Sequence, residues 1–321
     1  MTARVFFQDF EPAIRKKFAE AAADAGDAAQ HLVLELNEKP HEGKMAAEFS
    51  VALPTGPVRI TWAGIASLWA CAQGAARLAR RMFEGKRAPN TTGIITAADD
   101  PELTIGGYLL TLSERLCVVD FPPQPEGAAK WVDWAPRPVL MPSSEDAQMG
   151  NNLFFGALGW IMRHEIAHVT LQHLFATDSI RAEIDADRRA TEWLRGNRQA
   201  DPKREPGSRP GTAELELEQR AIIMGMALVW VAVFEARVGR SSTTHPPPAE
   251  RFFRCFGVLD LREDSGAAEI VHDILQAWIA PTAKWAPEKG YPNGRIALDT
   301  ALQHLYEHLK KPLEARNQLG G

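Results

Sequence analysis

Cysteine is scarce and scattered in this chain. Its three residues, Cys71, Cys117 and Cys255, are odd in number and form no Cys-x-x-Cys pair. That spacing argues against a disulfide framework and makes a reducing, cytoplasmic setting the expectation. Basic charge is not in excess either. Lys and Arg number 36 against 41 Asp and Glu, a formal net charge of −5, so a dedicated nucleic-acid binder is disfavoured and no nucleic-acid partner is expected. No secretion signal is expected, because Asp9 and Glu11 fall where a long apolar core would be needed. A membrane span, which needs roughly 20 apolar residues, is also not expected. Ala221 to Phe234 is apolar all round, but Glu235 and Arg237 end it too soon, and a buried helix is the expectation there.

What is present begins with ordinary globular composition, 45% hydrophobic and 24% charged over 321 residues, enough for a substantial core in one large domain or two. The organising stretch is Trp160 to Thr170, which contains His164-Glu165-x-x-His168. On an α-helix, residues four apart share a face, so two imidazoles can converge on one zinc ion. Glu165 is too close along the chain to be an easy third ligand, but it is well placed to take a proton from water at the metal. Leu158, Ile161, Ile166, Val169 and Leu174 flank the motif as the apolar side of a half-buried helix, and Ser143, Ser144, Glu145 and Asp146 are good helix-start chemistry. A solvated His/Glu face explains the bare motif too, so a second signal is needed.

That signal follows a break at Thr177-Asp178-Ser179. Zinc held by two histidines needs a third protein ligand and an open position, and a carboxylate on the next helix is one standard solution. Glu183 and Asp187 are four apart and share a face. Glu183 can bind metal while Asp187 accepts the outer N–H of a ligating histidine, setting its tautomer and basicity. Asp185 lies off that face and is expected in solvent. A salt-bridged acidic helix with Arg181, Arg188 and Arg189 is the competing explanation.

With Glu183-x-x-Ala186-Asp187 placed after the histidine motif, the chain resembles gluzincin-type zinc metallopeptidases, in particular the Lit-type phage-exclusion peptidases and, more distantly, the HtpX and CaaX-prenyl endopeptidases. Thr243 to Arg251, with His245 before Pro246-Pro247-Pro248, is similar to the His-Pro segment of those families. The likeness covers roughly residues 150 to 255. Because no membrane span is expected, the likeness leans towards the Lit-like branch. His245 can stabilise an oxyanion at a cleft wall. Arg251 can bind a substrate carboxylate or tie its loop to a nearby acid. A plain capped loop accounts for the same residues. The resemblance implies a protein or peptide substrate, with a host translation factor cleaved during phage exclusion.

Around these signals, Pro12 to Ala29 and Trp62 to Phe83 read as helices. His31 to Leu36, Ala47 to Leu53 and Val58 to Thr61 read as strands, as do Gly93 to Thr96, Tyr108 to Leu112, Leu116 to Phe121 and Pro138 to Met141. By analogy with zincins, the last of these is expected to border the cleft. Arg77, Arg80, Arg81, Lys86 and Arg87 read as a solvated helix end, and Trp131 and Trp134 as core plugs. Gly196 to Gly211 reads as a surface loop. His304-Leu305-Tyr306-Glu307-His308 inverts the zincin order without a downstream acidic ligand and is rejected as a site. His31, His41, His173 and His272 receive no role.

The expected fold is therefore α+β and predominantly helical, a zincin-like core with a small mixed or antiparallel sheet. The expected parts are an N-terminal α/β part (1–142), a zinc-binding helical core (143–260) and a helical C-terminal part (261–321), together one compact unit. The expected function is a zinc (Zn2+) endopeptidase with His164, His168 and Glu183 as ligands and Glu165 as base. A regulatory protease that cuts a repressor and a non-catalytic zinc-supported module are the alternatives.

Overall fold

The computed structural model describes residues 3–41, 45–87, 100–120, 131, 135–198, 211–238, 245–261 and 265–279. Two N-terminal helices, α1 (Arg4–Phe7) and α2 (Glu11–Ala25), with the 3₁₀ turn between them, bury Phe7, Phe10, Ile14 and Phe18. The chain then forms β1 (Leu34–Asn37), β2 (Phe49–Val51) and β3 (Val58–Thr61). Among the described residues these make a three-stranded mixed sheet in the order β1-β3-β2, with β1 parallel and β2 antiparallel to β3. β2 is thus an edge strand. The sheet is small because only Val58, Ile60, Phe49 and Leu34 supply deeply buried apolar side chains from its strands.

β3 runs directly into α3 (Trp62–Arg87), which packs along α4 (Pro101–Val118). The two backbones come close at Gly74 and Gly106, where a Cβ on Gly74 would stand 2.8 Å from the Gly106 carbonyl oxygen. α4 corrects the strand readings of Tyr108 to Leu112 and of Leu116 to Phe121 as far as Val118. Asp100 caps the helix by accepting from the Glu102 N–H, and Pro101 takes the first turn, where its missing N–H costs nothing. Leu109, Leu112 and Leu116 then recur at helical spacing and are buried, while Tyr108 is exposed. The short apolar runs fitted either period, and the cap decides. Pro138 to Met141 is likewise not a strand but irregular chain, with Met141 88% exposed. Gly93 to Thr96, Trp134, most of the Gly196 to Gly211 loop and the inverted motif at 304–308 lie outside the described residues.

The basic cluster on α3 is also corrected. Arg77 is only 5% exposed; it donates to Glu102 and to the side chain of Gln73. Arg80 pairs with Glu145 and Asp146, and Arg81 with Asp100. Over Arg77 to Arg81, what looks solvated in sequence is an ion-pair seam to the next two helices; the side chains of Lys86 and Arg87 lie outside those described. Trp131 is the core plug expected of it, edge-on to Phe6, Phe7 and Trp69.

α5 (Glu145–Thr170) is the central helix. Ser144 caps it through the Ala147 N–H, and α2, α3, β2, α6 (Ser179–Arg195) and α7 (Thr212–Val238) surround it. Asp178 caps α6 through the Arg181 N–H. α8 (Pro248–Leu259) and α9 (Ala267–Ile279) pack on α7. Among the described residues, Thr212–Arg237 is long and apolar enough to cross a membrane, but 67% of its most apolar window is buried within the protein. One apolar cluster runs from Ala3 to Leu275, and the three cysteines are free and buried in it.

Candidate metal centre

Because α5 presents one face to the cleft beneath β2, His164 and His168 leave the helix side by side. Their Nε2 atoms lie 3.1 Å apart. α6 crosses that face and brings Glu183 up to both, with Oε2 at 3.3 Å from His164 Nε2 and Oε1 at 3.4 Å from His168 Nε2. Bonds of about 2.0–2.1 Å in a tetrahedral zinc site put ligand atoms about 3.3 Å apart. The two imidazole nitrogens and the two Glu183 oxygens are spaced on that scale, and one donor atom from each side chain lies within 4.8 Å of the others, so the donor set is of the kind that holds zinc. Glu165 lines the same cleft but is not one of the converging donors.

Behind the donors, four helices meet in a buried charge network. Asp187, 2% exposed, sits with Oδ1 2.9 Å from His164 Nδ1. The oxygen lies off the ring N–H direction, so the contact is more an ion pair than a straight hydrogen bond. Arg251, on α8 and 4% exposed, donates from Nε and a terminal nitrogen to both Asp187 oxygens at 2.7 and 2.8 Å. Its other terminal nitrogen donates to Glu235 Oε1 on α7 at 2.6 Å. Such a planar fork suits a carboxylate that must not rotate. Trp160, one turn before His164, stacks near its ring at 5.8 Å and donates to Thr191.

These charges set the protonation states. Burial works against a charged His164, but its close contacts with Asp187 and Glu183 and the charge of both carboxylates outweigh it and raise its pKa to about 10. Burial and the neighbouring His164 charge push His168 down to about 3. Burial also opposes ionised Glu183, yet the close contact with His164 and the surrounding positive charge hold it well below the usual carboxylate range. Asp187 is lowered against its burial, chiefly by the Arg251 charge.

Every site residue picked from the sequence converges here. His245 Nε2 stands 3.6 Å from Glu183 Oε1, at the cleft wall, ahead of the prolines that start α8. Arg251 is tied to acids, while Asp185 pairs with Arg181 at the surface. Three participants were missed. Glu235 looked like the charge that ends an apolar helix, and Trp160 like one more core aromatic. His173 looks solitary in the sequence, but its Nδ1 lies 2.8 Å from His168 Nδ1. No local pattern marks it, because five residues is not a helical repeat.

With this geometry in view, comparison with known proteins is informative. Residues 58–271 match the family model described as Peptidase U49. Over 134 residues the chain is 33% identical to a protein of Escherichia coli (strain K12) called cell death peptidase, a match covering 40% of this chain and 41% of that protein. Comparison with solved structures finds no significant match.

Proposed function

The chain belongs to the Peptidase U49 family, and from that premise we propose that it is a zinc-dependent endopeptidase acting on a protein substrate. The observation that carries the metal reading is the convergence of His164, His168 and Glu183: the two Nε2 atoms lie 3.1 Å apart, and each is within 3.4 Å of one of the two Glu183 oxygens. A bound zinc ion supplies Lewis-acid polarisation of water and of the scissile carbonyl. Glu165 takes the proton of the attacking water and returns it to the leaving amine, so the base is regenerated in each cycle. Asp187 holds the outer nitrogen of His164, and Arg251 holds Asp187. His245, at the cleft wall, donates to the oxyanion as the carbonyl becomes tetrahedral. β2 borders the same cleft as an edge strand, and an extended peptide pairing with such an edge supports a protein substrate. The likeness to phage-exclusion peptidases and the relative's name support cleavage of a host protein, such as a translation factor, in a cell-death response.

The test is zinc content and cleavage of a cell-protein mixture, measured together on wild type and on Glu183→Ala. About one zinc per chain and defined new cleavage ends are expected of wild type, and loss of both of the variant. Wild type that takes up no zinc after reconstitution sinks the reading.

Zinc uptake also has a proton signature. In protein stripped by a chelator at pH 7, His164, raised to about 10, is charged and must lose its proton to bind metal, whereas His168, near 3, is already neutral. Uptake therefore releases about one proton per chain, read by calorimetry in two buffers of different ionisation heat. The same shift fixes a stability window. Because the folded pKa is raised, the contribution is complete below pH 6.5 and is lost as pH rises through about 10. Stripped protein should melt at lower temperature at pH 10 than at pH 7.

A further inference from the structure

An imidazole offers a lone pair through Nε2 only when Nδ1 carries its hydrogen, and in a buried site that N–H needs an acceptor. His164 has Asp187 for this purpose. The outer nitrogen of His168 faces another histidine, at 2.8 Å.

We propose that His173 is a positioning residue for the metal site, whose Nδ1 accepts the hydrogen bond from His168 Nδ1 and so holds His168 with Nε2 turned to the ion. This rests on the zinc reading above. The roles follow by elimination. His168 Nε2 is 3.1 Å from His164 Nε2 and 3.4 Å from Glu183, so it belongs to the donor set and the hydrogen must sit on Nδ1. His173 Nδ1 then accepts, and its own hydrogen is on Nε2.

The backbone is arranged for this contact. Had α5 continued, residue 173 would lie about 140° around the helix from residue 168, on another face. Instead α5 stops at Thr170, and Gln172 adopts φ 54°, ψ 43°, a left-handed conformation unfavourable for a residue with a Cβ. That residue takes the chain out of the helix, and His173 begins the following 3₁₀ turn with its ring edge-on to His168 at 4.9 Å. Strained backbone of this kind persists where surrounding structure holds it, and it clusters at functional sites. A neutral imidazole is a weaker acceptor than a carboxylate, so the two ligands are supported unequally: His164 by an anion, His168 by a neutral ring.

The full-length protein, stripped of metal, would be titrated with zinc against a chromophoric chelator as wild type, His173→Ala, His173→Asn and His168→Ala. Melting temperature would be measured on each stripped protein. Asparagine is the informative replacement, since its Oδ1 falls near the position of Nδ1. His173→Ala is expected to bind zinc about 10–100-fold more weakly, with a wild-type melting temperature when stripped. His173→Asn is expected to recover most of the affinity, and His168→Ala to lose it altogether. Wild-type affinity in His173→Ala, or no recovery in His173→Asn, overturns the proposal. A lowered melting temperature of stripped His173→Ala would assign the residue to the fold instead. Wild type that binds no zinc would sink the metal reading itself, a different result from any of these.

Discussion

Glu165→Gln is expected to lower peptide-bond cleavage by about 10²–10⁴-fold while leaving zinc content at the wild-type level. The substitution keeps size and shape and removes only the ability to take a proton. Glu165 projects into the cleft beside His164, but the atoms that converge on one point belong to His164, His168 and Glu183. Loss of its charge should therefore spare the donor set. His168→Ala removes a ligand, and there zinc and activity should fall together. The two variants separate proton transfer from metal retention, which a single activity assay cannot do. Glu165→Gln with full activity would remove Glu165 from the chemistry, and Glu165→Gln without zinc would make it part of the metal site.

The largest stability effect is expected at Arg251. Its guanidinium is 4% exposed and ties Asp187 on α6 to Glu235 on α7. Replacing it with Leu leaves Glu235 without this partner and Asp187 with only the His164 charge beside it, a change that costs about 3–5 kcal/mol when one member of a buried pair is removed. Urea unfolding of the stripped variant measures this. Zinc affinity should fall as well, because Asp187 would no longer be held against His164 Nδ1. Arg251→Lys is expected to recover only part of both effects, since an ammonium cannot span both Asp187 oxygens in a plane. An Arg251→Leu protein as stable as wild type would mean that Asp187 and Glu235 take up protons at no cost, contrary to the strongly ionised Asp187 described above.

That His164 and His168 share one helix face, and Glu183 and Asp187 another, could be read from the chain because this geometry is local. A four-residue repeat on a helix brings His164 to His168, and the same repeat brings Glu183 to Asp187, whatever surrounds them. Helix starts at Ser144 and Asp178 were equally legible, since capping depends on a few adjacent residues. The small sheet was visible in part, most closely at Val58–Thr61. The short apolar runs of α4 were misread because four to six residues cannot distinguish a buried strand from one face of a helix.

Tertiary structure alone decided what stands behind the ligands and beside the cleft. Pro138 to Met141 was expected at the cleft edge, but β2 takes that place, because antiparallel pairing with β3 sets it over α5. Arg251 meets Asp187 and Glu235 across 64 and 16 residues of chain, separations at which sequence spacing carries no information about contact. The clearest case is His173. Residue 173 faces away from residue 168 on any continuous helix, and it reaches His168 only because Gln172 turns left-handed. The sequence by itself determined which groups can do the chemistry, through short helical repeats. The packing of helices far apart in the chain, and one unfavourable backbone angle, decided which groups hold them in place.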